Sequence, residues 1–114
     1  DVQYDYQKTV LELIQKEYEY PVIKTIFPSW DNTARKSENK KFHSVYSNIS
    51  IKIFEVFLKK TIDYTNKNND HGIFCINAWN EWAEGNYMEP DLKYGRGRLE
   101  ALREVIYEPH NNIL

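Results

Sequence analysis

The chain has 114 residues, a formal net charge of −2, 41% hydrophobic and 28% charged residues, the make-up of one small globular domain. Nothing is basic enough for a nucleic-acid or anionic membrane partner, and no apolar run approaches the ~20 residues of a membrane span. The single cysteine, Cys75, excludes an internal disulfide; it fits a reducing, cytoplasmic setting and reads as a small hydrophobe buried in a strand. The chain opens Asp1-Val2-Gln3-Tyr4, with neither initiator methionine nor signal peptide, and is expected to be a piece of a longer polypeptide.

Residues 5–19 predict a helix, because Tyr6, Val10, Leu13, Ile14 and Tyr18 recur on one face. Pro21 ends it, since the residue before a proline is pushed out of the helical region. Residues 22–27, VIKTIF, are short and β-branched and predict a strand that Pro28 stops. A long polar loop follows over residues 28–47. Trp30, Asp31 and Asn32 sit where the strand lets go, and alone Asp31 and Asn32 would be read as turn or cap residues. Arg35 is near enough to pair with an acid. The run KSENKK at 36–41 reads as solvated surface, and His43 has no Cys or second His at metal spacing.

Residues 48–68 predict the longest helix. Ile49, Ile53, Val56 and Phe57 form one stripe and Ile51, Phe54, Leu58 and Ile62 a second. So wide an apolar arc implies packing on two sides, against a sheet and against other helices. Residues 73–78 begin with the apolar run Ile73-Phe74-Cys75-Ile76 and predict a second strand. A final helix spans 97–107, marked by Leu99, Leu102 and Ile106. Gly95 and Gly97 bracket Arg96 without a third glycine or a preceding strand, which is too little for a phosphate loop. Two strands separated by a long helix imply parallel pairing with a right-handed crossover.

The second strand delivers the loop Trp79-Asn80-Glu81-Trp82-Ala83-Glu84-Gly85-Asn86-Tyr87, with Glu89 just beyond. A carboxylate pair spaced by three is common on a solvated helix face. Indoles interleaved with acids directly after a strand point instead to a ligand site at a strand's C-terminal end. Two carboxylates can serve glycosidic-bond chemistry, one moving a proton at the glycosidic oxygen and the other acting as base, nucleophile or charge stabiliser. Flat rings would take the C–H faces of a sugar.

The run NAWNEWAEGNYMEPDLKYGRGRLEAL resembles the C-terminal signature of WbsX-type proteins of bacterial polysaccharide gene clusters, described as glycosyltransferases. These are similar to glycoside hydrolase family 99, the endo-α-mannosidases, whose motif reads roughly N-E-W-x-E-G-x-x-I-E-P. Asn80, Glu81, Trp82, Glu84, Gly85, Glu89 and Pro90 match it, and Met88 replaces the isoleucine. Upstream, Pro28 to Arg35, PSWDNTAR, resembles the group's W-D-N-T-x-R segment. The resemblance covers residues 20–106, the tail of such a protein.

The fold this implies is α/β, the C-terminal βα units of a (β/α)8 TIM-type barrel: two parallel strands with their helices, about a quarter of a fold of ~250 residues. The open strand edges are expected to meet the missing N-terminal part of the barrel or another copy of the chain. The resemblance further implies that Glu81 and Glu84 react. Glu81 would be the base toward a sugar 2-hydroxyl, in an internal displacement through an anhydro intermediate. Glu84 would be the acid toward the leaving oxygen and then the base toward water, with Trp79 and Trp82 supplying an apolar surround that keeps its proton on. Asp31, Asn32, Arg35, Asn80 and Glu89 would bind sugar hydroxyls, and Trp30, Trp79, Trp82 and Tyr87 would stack. The substrate would be a glycan or sugar nucleotide of mannose-type or surface polysaccharides, such as lipopolysaccharide O-antigen. No ligand spacing points to a metal or an organic cofactor. A carbohydrate-binding piece without catalysis, or a purely structural barrel segment, are the alternatives.

Overall fold

A computed structural model describes residues 2–35, 43–68 and 72–108. The 36–41 run, read above as solvated surface, therefore lies outside the described residues, as do 69–71 of the segment before the second strand.

Three helices carry the core. α1 is Tyr6–Gln15, α2 is Ile51–Asn68 and α3 is Gly97–Tyr107. Asp5 caps α1, its carboxylate accepting from the Lys8 N–H at 3.0 Å and from the Asn48 side-chain amide at 2.8 Å. These hydrogen bonds, Lys8 first, hold the Asp5 carboxyl below its ordinary range. The helix stops at Gln15, four residues short of the predicted end, because residues 15–20 are all exposed and nothing packs to hold another turn. α2 begins three residues later than predicted: Asn48 takes a positive φ of 58° and the Ser50 hydroxyl accepts from the Ile53 N–H. α3 has the predicted bounds. Gly97 opens it because a Cβ there would lie 3.2 Å from the Ile51 side chain, and Gly95 turns the chain at φ 56°.

The predicted strands shrink to β2, Thr25–Ile26, and β4, Cys75–Ile76, which pair in parallel with Ile26 opposite Ile76. The Cys75 N–H donates to Lys24 C=O at 2.9 Å and the Asn77 N–H to Ile26 C=O at 2.8 Å. A second parallel pair was not foreseen. β1, Val2–Asp5, pairs with β3, Ser44–Ser47, in the register Val2 to Ser44 through Asp5 to Ser47. Both segments are short, VQYD and SVYS, and neither shows its partner four tens of residues away. The expected loop over 28–47 thus contains a strand.

Helices cover one face of the β2–β4 pair. Tyr6, Val10, Ile26, Phe54, Phe57, Leu58, Met88, Ala101 and Val105 form the buried cluster, with Phe27, Tyr46, Phe74 and Ile76 packed against it. α2 touches α1, α3 and β2, the two-sided packing its broad apolar arc required. The buried Tyr6 hydroxyl donates to Phe27 C=O at 2.7 Å, tying α1 to the end of β2; burial pushes this phenol far above its ordinary pKa. The other face of the pair is open. Ile23 and Ile73 are about half exposed, and Cys75, expected to be buried, is exposed with them. Alternation explains the correction: Ile26, Phe74 and Ile76 turn toward the helices, so Thr25 and Cys75 turn away.

Candidate functional site

After β4 the chain folds into a small hairpin. β5, Asn80–Glu81, runs antiparallel to β6, Asn86–Tyr87, and a single 3-10 turn, Trp82–Glu84, joins them. Gly85 closes the turn at φ 56°, its N–H donating to Trp82 C=O at 3.0 Å. Met88, 3% exposed, roots the hairpin in the core.

The tip of this hairpin docks on the loop that follows β2. The Asp31 N–H donates to Glu84 C=O at 2.8 Å, and the Ser29 hydroxyl to Gly85 C=O at 2.7 Å. The contact is so close that a Cβ on Gly85 would stand 2.8 Å from the Asp31 carbonyl oxygen. Both loops leave the C-terminal ends of parallel strands, so they emerge on one side of the molecule.

The side chains divide into groups. Arg35 is ion-paired with Glu84, whose side chain is 15% exposed against 62% for the arginine. Glu81 and Asn80 are exposed. The two indoles are themselves about half open to solvent, Trp79 at 56% and Trp82 at 48%. Trp82 lies flat on Tyr87, with centroids 3.6 Å apart and planes 18° apart, and its indole N–H faces Glu89 at 3.4 Å. One face of Tyr87 is therefore covered, which leaves Trp82 as the outer ring of that stack. Asp31 accepts from the Thr33 N–H at 3.0 Å and from its hydroxyl. Asn32 is 7% exposed, and its side-chain oxygen accepts from the Ser44 N–H at 2.8 Å. It anchors the loop on β3. The Trp30 indole donates to the Ser44 hydroxyl at 2.9 Å.

Sequence reasoning missed a buried cluster behind the hairpin. Arg98, on α3, is ion-paired with Asp91 at 2.9 Å, with both side chains under a tenth exposed. Asp91 also accepts from the Tyr94 N–H at 2.6 Å and the Tyr87 hydroxyl at 2.9 Å. Arg98 sits 4.9 Å from the ring centroids of both Tyr87 and Tyr94. Burial alone would raise the Asp91 carboxyl, but hydrogen bonds from Tyr94, Arg98 and Tyr87 outweigh it and hold the group below its ordinary range. Burial, and then the bond to Asp91, pushes the Tyr87 phenol up. The signal was in the sequence: Arg98 shares a helical stripe with Ala101 and Val105, and a charge on a buried stripe calls for a buried partner.

Trp30 and Tyr46 border two cavities. One, of about 300 Å³, also exposes Asp31, Asp91, Lys93 and Arg98; the other, of about 420 Å³, is lined by aromatic rings. Neither Glu81 nor Glu84 lines either one. A larger, shallow trough of about 710 Å³ lies between α2 and α3 among Glu55, Lys59, Arg103 and Glu104, away from both loops. Among the described residues, no helix is long and apolar enough to cross a membrane.

The family described as Glycosyltransferase WbsX matches residues 1–102. Two proteins named "Uncharacterized protein WxcX" from Xanthomonas campestris pv. campestris are similar to the chain. That of strain B100 is 30% identical over 106 residues, 90% of this chain. That of strain ATCC 33913 is 33% identical over 90 residues, 77% of this chain. The chain spans 15% and 12% of the lengths of these two relatives. No solved structure matches it significantly.

Proposed function

The chain belongs to the WbsX glycosyltransferase family, and from that premise we propose that residues 1–114 are the C-terminal part of a carbohydrate-active (β/α)8 barrel. The open face of the β2–β4 pair supports this reading. Ile23, Ile73 and Cys75 are the side chains that would line a barrel interior once further strands closed the ring. Family membership supports a carbohydrate-related role.

In this reading the reacting groups are Glu81 and Glu84. The observation that carries it is the docking of the two motif loops, through the Asp31 N–H on Glu84 C=O, the Ser29 hydroxyl on Gly85 C=O and the Arg35–Glu84 ion pair. In this reading residues 49 to 56 apart in the sequence meet at one rim. Glu84 protonates the leaving glycosidic oxygen and afterwards takes a proton from the incoming hydroxyl. Glu81 takes the proton of the sugar 2-hydroxyl as that oxygen displaces the leaving group from the anomeric carbon, and returns it when the incoming hydroxyl opens the anhydro ring. Arg35 pairs with the ionised Glu84 until the sugar enters and then turns to a sugar hydroxyl, and Glu84, released from the cation, takes up from solvent the proton it gives to the leaving oxygen. Asp31, Asn80 and Glu89 accept hydroxyl hydrogen bonds, while Trp30, Trp79 and Trp82 offer ring faces, Tyr87 backing Trp82. If the incoming hydroxyl belongs to water the outcome is hydrolysis; if it belongs to a sugar, transfer. The family's name favours transfer, and the acceptor in this reading is a growing surface polysaccharide.

The test is Glu84→Gln in the full-length polypeptide. It should lower turnover of a glycan substrate by roughly 100- to 10,000-fold while glycan binding persists. Product analysis by mass spectrometry separates chain extension from release of free sugar. The Arg35–Glu84 pair equally suits a module that binds glycans without reacting, in which both groups serve as hydroxyl ligands. Wild-type turnover by the Gln variant would select that second reading.

A further inference from the structure

The 420 Å³ cavity is lined by Tyr4, Phe27, Trp30, Ser44, Tyr46 and Asn77. Its volume falls in the ~300–1,000 Å³ range of small-molecule sites. Two of these residues stand at the C-terminal ends of the β2–β4 pair, Phe27 just after Ile26 and Asn77 just after Ile76. The others come from the unforeseen β1–β3 pair and the loop docked on it.

The walls are built before any ligand arrives. Tyr4 and Tyr46 stack with centroids 5.1 Å apart and planes 25° apart. Phe27 meets Tyr46 edge-on at 5.0 Å and is itself packed edge-on against Phe57 in the core. The Trp30 ring is fixed by its N–H donating to the Ser44 hydroxyl at 2.9 Å. The Tyr46 N–H, donating to Trp30 C=O at 3.0 Å, ties the two walls together. A ligand would therefore meet rings already ordered, so little conformational entropy is lost when it binds.

The lining also defines what fits. Four rings converge with three hydroxyl-bearing side chains, Tyr4, Ser44 and Tyr46, and one amide, and none of the six side chains carries a formal charge. An anionic group would find no cation here, and an aliphatic chain would bury Ser44 and Asn77 against carbon. A ring with apolar C–H faces and a rim of hydroxyls satisfies both kinds of wall. The adjoining cavity across Trp30 and Tyr46 holds Asp31, Asp91, Lys93 and Arg98. Asp91 and Arg98 are buried and paired with each other, so the exposed Asp31 and Lys93 are the charged side chains it offers to hydroxyl groups further along the same ligand.

We propose that this aromatic cleft is a binding subsite for one neutral pyranose ring of a glycan, with the next unit of the glycan lying in the charged cavity beyond Trp30. The inference rests on the carbohydrate reading above and adds to it the neutrality of the unit bound and the residues that bind it. Tyr4, 45% exposed, forms the outer lip, so its ring can be removed without opening the core.

The experiment is isothermal titration of the full-length polypeptide with neutral manno- and gluco-tetrasaccharides, with tetragalacturonate as an acidic competitor and uridine as a flat, uncharged one. A neutral tetrasaccharide should bind preferentially. Tyr4→Ala should weaken it roughly three- to tenfold, the value of one stacked ring, and Tyr4→Trp should restore it. Asn77→Ala, which removes a polar contact at an exposed position, should weaken binding about threefold and gives a second reading if Tyr4→Ala does not fold. The proposal is overturned if tetragalacturonate or uridine binds in preference. It is also overturned if Tyr4→Ala and Asn77→Ala both leave neutral saccharide affinity within twofold of wild type. Should that occur while Glu84→Gln still abolishes turnover, the subsite alone is wrong; if neutral glycans neither bind nor turn over, the carbohydrate reading falls with it.

Discussion

Two clusters of acids, aromatics and arginine lie on opposite sides of Tyr87, and they differ in almost every physical respect. Behind the ring, Asp91 and Arg98 are nearly inaccessible, and the carboxylate is held by Arg98, the Tyr94 N–H and the Tyr87 hydroxyl. In front of it, Trp82, Glu81 and Trp79 are exposed, and Glu84 meets an arginine that is itself largely solvated. Buried pairs lose much when either partner goes, because the other is left charged in a poor solvent. Solvated pairs lose little, because water replaces the partner. The same residue types therefore serve as a fixed mount on one side and as groups free to meet a ligand on the other.

The comparison breaks most visibly at the mount. Arg98→Met should cost ~3–5 kcal/mol of unfolding free energy, measured by urea titration of the full-length polypeptide. A loss below 1 kcal/mol would mean that the Asp91 cluster is not what holds the hairpin. At the junction of the two regions, Gly85→Ala should cost about 1–3 kcal/mol. The added Cβ combines a φ of 56° with a 2.8 Å approach to the Asp31 backbone. It should move the backbone amide resonances of both Asp31 and Glu84, whereas a change confined to the hairpin would contradict the docking.

Acid sharpens the contrast without mutation. The folded Asp91 carboxyl titrates below its unfolded value, so its contribution to stability is complete above about pH 4, the unfolded carboxyl pKa. That contribution drains away as pH falls through the lower folded value. Unfolding curves between pH 2 and 7 should show this loss in the wild type and lack that part of it in Asp91→Asn; identical acid limbs would refute the assignment. The smallest stability effect belongs to the rim. Trp82→Ala, at 48% exposure, should cost no more than ~1.5 kcal/mol, the value of an aromatic pair. In the proposed function it should weaken glycan binding by more than it weakens folding, and equal losses in both would return Trp82 to a packing role.

Where local pattern sufficed, the sequence was legible. The stripe Tyr6, Val10, Leu13 and Ile14 marked α1, the double stripe of α2 marked its two-sided packing, and α3 has the bounds its leucines implied. The pairing of Thr25–Ile26 with Cys75–Ile76 also followed, because a helix between two short apolar runs leaves little but a parallel crossover. The loop of Trp79, Glu81, Trp82 and Glu84 was visible because indoles and acids after a strand have few structural uses. These features depend on spacing within one turn or one strand, and such spacing is written in consecutive residues.

Tertiary structure decided what depends on residues far apart. β1 and β3 are tetrapeptides, each half Val and Tyr, too short to announce a strand, and nothing local names the partner each pairs with. Only the fold showed that Asn32 is buried against β3, that Cys75 faces outward, and that Arg35 meets Glu84 rather than a nearer acid. The partnership of Arg98 with Asp91 was half visible, as a charge on a buried stripe, but its partner lies across a turn that Gly95 makes at a φ of 56°. The apolar stripe that packs a helix recurs within each turn, so its period can be read along the chain. A buried ion pair or a two-stranded ladder is a bargain between segments, and only the folded chain names both parties.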